Sequence, residues 1–240
     1  MAIVIHSTEE LAVTSGIKVM VYARSGIGKT MLCATAPGPI VLSAESGLLS
    51  LSRKNIIRQF GADTPGITYN LPVLKVETVA DLTEYHKWFT SSAEAAQFET
   101  ICIDSLTEIA EVILANAKPQ VKDARQAYGE MLDKTMMTLR SFRDLSHKNV
   151  YFSAKEEFVK NEVTGVRTYQ PMMPGQKLGP ASPYIVDEVF NLNIGRTTDG
   201  TEYRYLLTQP NMQYDAKDRS GALDIMEMPN LTHIFNKIKA

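Results

Sequence analysis

The stretch ARSGIGKTML at residues 23–32 has the residue types and spacing of a loop that binds phosphate. Gly26 and Gly28 allow a tight turn that points successive backbone N–H groups inward, which makes a nest for anionic oxygens before the following helix. The Lys29 ammonium group can then reach the β and γ phosphates of a nucleotide, and the Thr30 hydroxyl can bind Mg²⁺. The predicted nucleotide contacts are Ala23, Arg24, Ser25, Gly26, Ile27, Gly28, Lys29, Thr30 and Met31.

Ala23 departs from the usual pattern of such loops, G-x-x-x-x-G-K-[ST], which has glycine at that position. The departure is slight, because alanine adds only one methyl group. The flanking residues favour a working loop: the apolar run IKVMVY predicts a buried strand, and TMLCATA predicts the start of a helix. The alternative is a glycine-rich turn with a surface lysine, which does not explain the G-K-T order.

Two acidic residues end apolar runs that predict strands: Asp104 ends TICID and Glu45 ends PIVLSAE. Ligands bind beyond the carboxyl ends of parallel strands, so Asp104 is predicted to hold Mg²⁺ through water or Thr30. Glu45 is predicted to polarise the attacking water as a general base. The alternatives are a helix N-cap acid for Asp104 and a surface acid before a short helix for Glu45.

Two further segments place cations where a phosphate could lie. Ser153 and Lys155 follow another predicted strand and can sense a γ phosphate, although exposed polar residues explain them equally well. Lys217 and Arg219 alternate in AKDRSGAL, so both point the same way in an extended segment. The alternative there is a charged hairpin tip with Gly221 at the turn.

Strand-like and helix-like segments alternate along the chain, which predicts a mostly parallel central sheet with helices on both faces. The late strands DEVFNLNIG and YRYLLTQ predict an antiparallel C-terminal edge. No linker rich in proline, glycine or serine divides the chain, so we predict a single α/β domain over residues 1–240. Other strands are predicted at residues 39–45, 71–76, 100–104 and 149–154, and helices after Thr78, at 106–117, at 126–145 and at the C-terminus.

The composition, with 44% apolar and 22% charged residues, is that of a globular protein and contains no run long enough to span a membrane. The N-terminus MAIVIHSTEE lacks the basic region of a signal peptide, and Cys33 and Cys102 form no metal or disulfide pattern, which predicts a cytoplasmic location. Net charge is −2, yet residues 117–177 carry eleven Lys and Arg against seven Asp and Glu. This local excess favours a polyanion as partner, although two ordinary solvated helices explain it equally well.

Taken together, these segments resemble the RecA-like P-loop ATPase core over about residues 17–223. VLSAESGL resembles the segment that carries the catalytic glutamate, which implies that role for Glu45, and ICIDS resembles the Mg²⁺ strand, which implies Asp104 as a metal residue beside Thr30. KDRSG resembles the K-x-R-x-G element of RadA- and DnaB-like relatives. In those relatives the basic pair of this element reaches the γ phosphate of the neighbouring subunit. The resemblance therefore implies catalytic roles for Lys217 and Arg219.

The chain also resembles compact phage and prophage RecA-like proteins of the single-strand annealing, or Sak, group. The resemblance implies binding to single-stranded DNA, phage-type homologous recombination, self-association into a ring or filament, a single-strand-binding protein as a further partner, and a bacterial host cytoplasm. RecA has a glutamine after the strand that matches NVYFSA, where this chain has Ser153, Ala154 and Lys155. That departure argues against a RecA-like link between ATP and DNA binding.

By this resemblance, DNA contact falls on the loops AKPQVKDARQAYG and EEFVKNEVTGVRTYQPMMPGQKLGP, the second predicted as a hairpin with TG at its turn. Basic residues beside an aromatic ring suit single strands, where backbone charge and base stacking carry the affinity. The alternative is a solvated hairpin at a subunit contact. The predicted DNA contacts are Lys160, Arg167, Tyr169 and Lys177.

We therefore expect a Mg²⁺-dependent ATPase that binds ATP between subunits, binds single-stranded DNA and binds no membrane. A DnaB- or RadA-like DNA motor is the alternative among ATPases. A nucleotide-dependent scaffold for a protein partner is the alternative from another class. The sequence carries no N-K-x-D motif of a GTPase, and we see no Arg-rich lid of a small-molecule kinase.

Overall fold

The computed structural model describes residues 7, 8, 10, 15–45 and 47–240. The N-terminal stretch on which we predicted no signal peptide lies largely outside the described residues. Within them, ten strands form one sheet. Their bounds are β1 Lys18–Ala23, β2 Pro39–Ser43, β3 Val73–Lys75, β4 Thr100–Asp104, β5 Asn149–Lys160, β6 Arg167–Met172, β7 Glu188–Arg196, β8 Glu202–Leu207, β9 Lys217–Asp218 and β10 Met226–Glu227.

The strand order is β10-β8-β7-β1-β5-β4-β2-β3, with β6 also paired to β5 and β9 also paired to β7. The central strands from β7 to β3 pair in parallel, whereas β6, β8, β9 and β10 pair antiparallel. This order confirms the predicted mostly parallel sheet with an antiparallel C-terminal edge. Because β5 lies between β1 and β4, the loop after β1 and the acid that ends β4 leave the same sheet edge two strands apart.

Helices pack on both faces of the sheet. In the described part of the chain the α-helices are α1 Lys29–Leu32, α2 Arg53–Phe60, α3 Val79–Ser91, α4 Leu106–Ala117, α5 Ala124–Arg143, α6 Leu178–Ala181 and α7 Leu231–Lys239. Turns of 3₁₀ helix at Cys33–Thr35 and Leu48–Leu51 continue the segments that leave α1 and β2. None of these helices is long and apolar enough to cross a membrane.

The alternation of side chains along β1 divides the core into two layers. Met20 and Tyr22 belong to one buried cluster, which also contains the apolar faces of α3, α4 and α5. Val19 and Val21 belong to the other, which also contains residues of α1 and α7. All six residues of β1 are buried, as expected for a strand covered on both faces. The loop that follows β1 is therefore attached to a strand that is buried along its whole length.

Two elements differ from the sequence predictions. Strand β5 continues without a break from the predicted strand at 149–154 into the predicted hairpin, where its exposed half pairs with β6. Helix α2 was not predicted, since only Ile56 of its eight residues is buried and the apolar stripe is too narrow to recognise. By contrast, the predicted cap of α3 is confirmed: Thr78 and Asp81 form the reciprocal bonds of a capping box.

Candidate nucleotide-binding site

The phosphate loop leaves the end of β1 and enters α1 at Lys29. Gly26 and Gly28 have φ angles of 78° and 118°, a region that L side chains rarely adopt, so the turn requires glycine at both positions. Ala23 is the last residue of β1, pairs in register with Lys155 and is fully buried. Its extended backbone does not require glycine, which explains why alanine is accommodated there.

The Lys29 side chain is directed into this loop. Its ammonium group donates hydrogen bonds to the backbone oxygens of Ala23, at 2.8 Å, and Arg24, at 3.0 Å. Burial lowers the pKa of Lys29, and the negative charges of Asp104 and Glu45 oppose that shift. The cation therefore lies among acidic groups inside the loop, where an incoming phosphate can replace the carbonyl oxygens as its partner.

Asp104 ends β4 and is only 3% exposed. Its Oδ1 accepts a hydrogen bond from the Ser153 hydroxyl, and burial raises its pKa while hydrogen bonds from Ser153 and Thr30 act in the opposite direction. The N-cap of α4 is Ser105, whose side chain accepts from the Glu108 backbone, so the N-cap alternative for Asp104 is wrong. The Asp104 carboxylate instead faces the Thr30 hydroxyl beside the phosphate loop.

Glu45 lies two residues beyond the end of β2 and is half-buried. Its Oε1 accepts a hydrogen bond of 2.7 Å from the Ser105 hydroxyl. Among the residues that the structure describes, its Oε2 accepts no hydrogen bond. The backbone N–H of Ala44 donates to the Asp104 carbonyl at 3.0 Å, which ties the two acidic segments together. Glu45 thus holds one oxygen fixed and presents the other.

A single cavity of about 600 Å³ joins these groups. Eight of the nine predicted loop residues line it together with Glu45 and Asp104, whereas Ile27 packs on the apolar core. A cavity of this size suits a nucleotide. The lining residues that the sequence did not predict include Arg58, Gln59, Phe60, Leu192, Arg204 and Pro229.

A scan against protein families matches residues 15–220 to the family described as an AAA domain. The chain belongs to this AAA domain family. The match covers the loop, both acidic segments and strands β1 to β9, and it supports nucleotide binding and hydrolysis. It also supports, at the level of the family, the expected P-loop ATPase.

Among solved structures, the AAA domain is similar to a KaiC-like protein from the hyperthermophilic archaeon Pyrococcus horikoshii. The two share 11% identity with a TM-score of 0.45, and the similarity covers 80% of this chain and 78% of that chain. The likeness is too low to add to the family match. A search of curated proteins finds no match.

Ser153 and Lys155 both belong to β5 but differ in role. The Ser153 hydroxyl is fully buried and donates a hydrogen bond to Asp104, so it fixes that carboxylate in place. Lys155 lines the cavity of the AAA domain, and its ammonium group pairs with Glu108 of α4 and lies 3.9 Å from Glu111. Only Lys155 is thus placed to sense a phosphate.

Lys217 and Arg219 lie at the amino-terminal ends of the parallel strands, whereas the phosphate loop leaves their carboxyl-terminal ends. Strand β9 pairs with the start of β7, level with the start of β1, so both cations are remote from the phosphate loop of their own chain. The Lys217 ammonium group donates to the carbonyl oxygens of Pro183, at 2.7 Å, and Val186, at 2.5 Å. Arg219 is more exposed and pairs with Asp187 at 3.0 Å. Arg219 is therefore the freer of the two cations.

The four predicted DNA residues fall into two groups. Lys160 and Arg167 face each other in register on the exposed hairpin of β5 and β6. Tyr169 is half-buried on the same hairpin, and its ring stacks on Tyr214 at 4.9 Å. Lys177 lies in the loop after β6, where it lines a second cavity. The structure does not bring the four together at one point.

Some lining residues gave no usable signal in the sequence. Gln59 and Phe60 belong to α2, which was not predicted, and Pro229 stands between two short elements. Arg204 lies in the predicted strand YRYLLTQ, where it reads as one more surface charge. Which strand becomes the neighbour of β7 depends on long-range pairing, and the local pattern of residues cannot supply that.

Proposed function

We propose that this AAA domain binds ATP with Mg²⁺ and hydrolyses it to ADP and phosphate. The observation that carries the proposal is the convergence of Lys29, Thr30, Asp104 and Glu45 on one cavity. Thr30 and Asp104 offer hard oxygen ligands, which Mg²⁺ prefers. The described residues contain no cluster of three or more acidic, His or Cys ligands, so nucleotide oxygens and water would complete the coordination.

Each side chain has a distinct task in this scheme. The loop N–H groups and Lys29 bind the β and γ phosphates, while Thr30 and Asp104 would hold Mg²⁺, which neutralises phosphate charge when bound. The Ser105 hydroxyl orients Glu45 through Oε1, which leaves Oε2 to accept a proton from the attacking water. Lys155 lines the same cavity and can contact the γ phosphate.

The direct test is ATP hydrolysis by the purified chain with Mg²⁺ and with the metal chelated. We expect turnover with Mg²⁺ that is lost on chelation and restored by added metal. Repeating the assay with single-stranded DNA shows whether the nucleic acid stimulates turnover. Tight ATP binding without turnover, with or without DNA, would favour a nucleotide-dependent scaffold over an ATPase.

We further propose that the chain binds single-stranded DNA in a phage-type recombination or annealing reaction. The two loops that were predicted to contact DNA lie against each other and line a cavity of about 500 Å³. Arg125 and Tyr128 come from the first loop and its helix, and Lys177 comes from the second. Tyr128 is 42% exposed and Lys177 is exposed, so a ring and two cations are available to a strand.

The β5–β6 hairpin offers a second group of the same character. The Arg167 guanidinium lies 4.9 Å from the centre of the Phe158 ring, and Phe158 is 52% exposed. Phe158 was not predicted from the sequence, and it is more accessible to a base than Tyr169. The hairpin and the cavity together supply the basic and aromatic side chains that single-strand binding requires.

Fluorescence anisotropy of a labelled oligonucleotide, measured over a series of salt concentrations, tests this proposal. Binding should weaken with salt, and each lost phosphate contact should flatten the slope of log K against log salt by about 0.7. We expect the double variants K160Q/R167Q and R125Q/K177Q to flatten the slope. The control K87Q/K239Q removes two exposed lysines on other surfaces and should not. Absence of binding at low salt with an ATP analogue present would contradict the proposal.

We also propose that ATP binds at a head-to-tail contact between copies, where Arg219 of one copy approaches the γ phosphate held by the next. Arg219 lies at the end of the sheet opposite the phosphate loop. This placement supports the arrangement, because a head-to-tail contact brings opposite ends of two copies together. Lys217 is held by its own backbone carbonyls, so Arg219 is the stronger candidate.

A further inference from the structure

Arg204 brings a guanidinium group to the phosphate loop from strand β8 of the same chain. Its Nε lies 3.9 Å, and its Cδ 4.0 Å, from the point where a Cβ atom on Gly28 would stand. Gly28 immediately precedes Lys29, and Arg204 lines the same cavity. The side chain therefore runs along the loop that is predicted to bind phosphate, although it lies far from that loop in the sequence.

The guanidinium group has little to bind in the structure. Across the described ranges no carboxylate pairs with Arg204, and its one hydrogen bond runs from Nη1 to Gln59 Oε1 at 3.3 Å. Arg196, on the neighbouring strand, shows the contrast: it donates from both Nε and Nη2 to Glu202. A guanidinium carries five N–H donors, so most of those on Arg204 are available to a ligand in the cavity.

The strand order indicates which part of a nucleotide lies nearest to Arg204. Strands β7 and β8 lie on one side of β1, whereas β5, β4 and β2 lie on the other side with Lys155, Asp104 and Glu45. In the proposed site the metal and the γ phosphate lie on the side of Asp104 and Glu45. The α and β phosphates of the nucleotide are then expected on the side of β1 that Arg204 occupies.

We propose that Arg204 binds the α and β phosphates of the nucleotide in cis, an inference that rests on the proposed ATP site. A planar guanidinium suits phosphate oxygens and forms charge-assisted hydrogen bonds with them. Because both ADP and ATP carry these phosphates, Arg204 serves affinity for both and does not drive hydrolysis. Its role differs from that of Arg219, which is proposed to act on the γ phosphate of another copy.

Calorimetric titrations with ADP, a non-hydrolysable ATP analogue and inorganic tripolyphosphate test the inference. We expect R204Q to weaken all three by about tenfold, the usual effect of losing a charged hydrogen bond. R204K should lose less affinity, because lysine keeps the positive charge but lacks the planar set of N–H donors of the guanidinium group. The matched control R196Q, an exposed arginine on the next strand, should bind like the parent. Turnover of saturating ATP by R196Q should stay near the parent rate.

Three outcomes would overturn the inference. Unchanged affinities in R204Q would show that the guanidinium binds no ligand. Weaker ADP binding with unchanged tripolyphosphate binding would move the contact to the base or ribose. Weaker binding of the ATP analogue and tripolyphosphate, with unchanged ADP binding, would move it to the γ phosphate. A parent chain that binds none of the ligands would overturn the proposed ATP site itself, which separates the two failures.

Discussion

At the scale of single residues, the carboxylate of Glu45 shows what sequence order can and cannot predict. Its place after an apolar run predicted an acid at the sheet edge, and the structure places it in the cavity with Asp104. The hydroxyl that orients it, Ser105, was not predicted, because the pair is 60 residues apart and forms only when β2 and β4 align. The sequence indicated which acidic residue belongs to the site, but it did not indicate the hydrogen-bond partner that orients it.

We expect Glu45→Gln to bind ATP normally and to hydrolyse it about 100-fold more slowly or worse, since a general base contributes that much. The isosteric amide keeps the Ser105 contact but cannot accept the proton of the attacking water. Single-turnover hydrolysis and ATP affinity, measured on the same preparation, separate the two effects. Glu157→Gln is the matched control, because Glu157 bonds to Gln170 outside the cavity. If Glu45→Gln turns over at the parent rate, the role passes to Glu156, which lines the cavity.

At the scale of secondary-structure elements, the turn after β9 is held by a buried carboxyl group. The backbone N–H groups of Arg219 and Ser220 donate to Glu188 at 3.2 Å each, and Glu188 is 1% exposed. Burial, and then the neighbouring Asp218 carboxylate, raise the pKa of Glu188 to about 7. The turn that presents Arg219 therefore depends on a group that titrates near neutral pH.

This shift predicts how stability varies with pH. The folded-state pKa of Glu188 lies above its ordinary value of 4.5, so the folded chain keeps a proton that the unfolded chain releases. The stabilisation is complete below about pH 4.5 and is lost as pH rises through about 7, which amounts to about 3 kcal/mol. Urea unfolding at about pH 5 and about pH 8 should show a smaller fall for Glu188→Gln than for the parent. Glu202→Gln, which removes an exposed carboxyl group, is the control, and identical falls in parent and Glu188→Gln would contradict the prediction.

Elements were predictable where their apolar pattern reports burial. Strand β4 and helix α4 match their predicted bounds, since both bury a continuous strand or a broad helical face. The hairpin of β5 and β6 was also predicted, from its turn residues, although its side chains are mainly exposed. Helix α2 was missed because only Ile56 of its eight residues is buried, and this helix carries Gln59, which lines the cavity.

At the scale of the whole molecule, the phosphate loop lies at the carboxyl-terminal ends of the parallel strands and Arg219 lies at their amino-terminal ends. The sheet order predicts neither a ring nor a filament, but this separation means that one chain cannot complete a γ-phosphate contact with its own Arg219. A residue supplied by a neighbour can change turnover by roughly 10³–10⁵. Assembly would then govern hydrolysis.

We therefore expect ATPase rate per chain to rise with protein concentration until assembly is complete. Arg219→Ala should bind ATP yet hydrolyse it slowly, and mixing it with Lys29→Ala should restore part of the activity, because a mixed contact pairs an intact loop with an intact arginine. Arg196→Ala mixed with Lys29→Ala is the control for dilution of parent-like activity. A flat rate per chain on dilution to the monomer, or no rescue in the mixture, would refute the role of Arg219 in a neighbouring copy.

The most direct test of the central claim is nucleotide binding by Lys29→Ala, measured by calorimetry with Mg²⁺ beside the parent and Ala23→Gly. The parent should bind ATP, and Lys29→Ala should lose about 100-fold or more in affinity, because the cation directed into the loop is gone. Ala23→Gly should bind nearly as the parent does, since that position is an ordinary strand residue. Equal ATP affinity in the parent and Lys29→Ala would contradict the assignment of this loop as the nucleotide site.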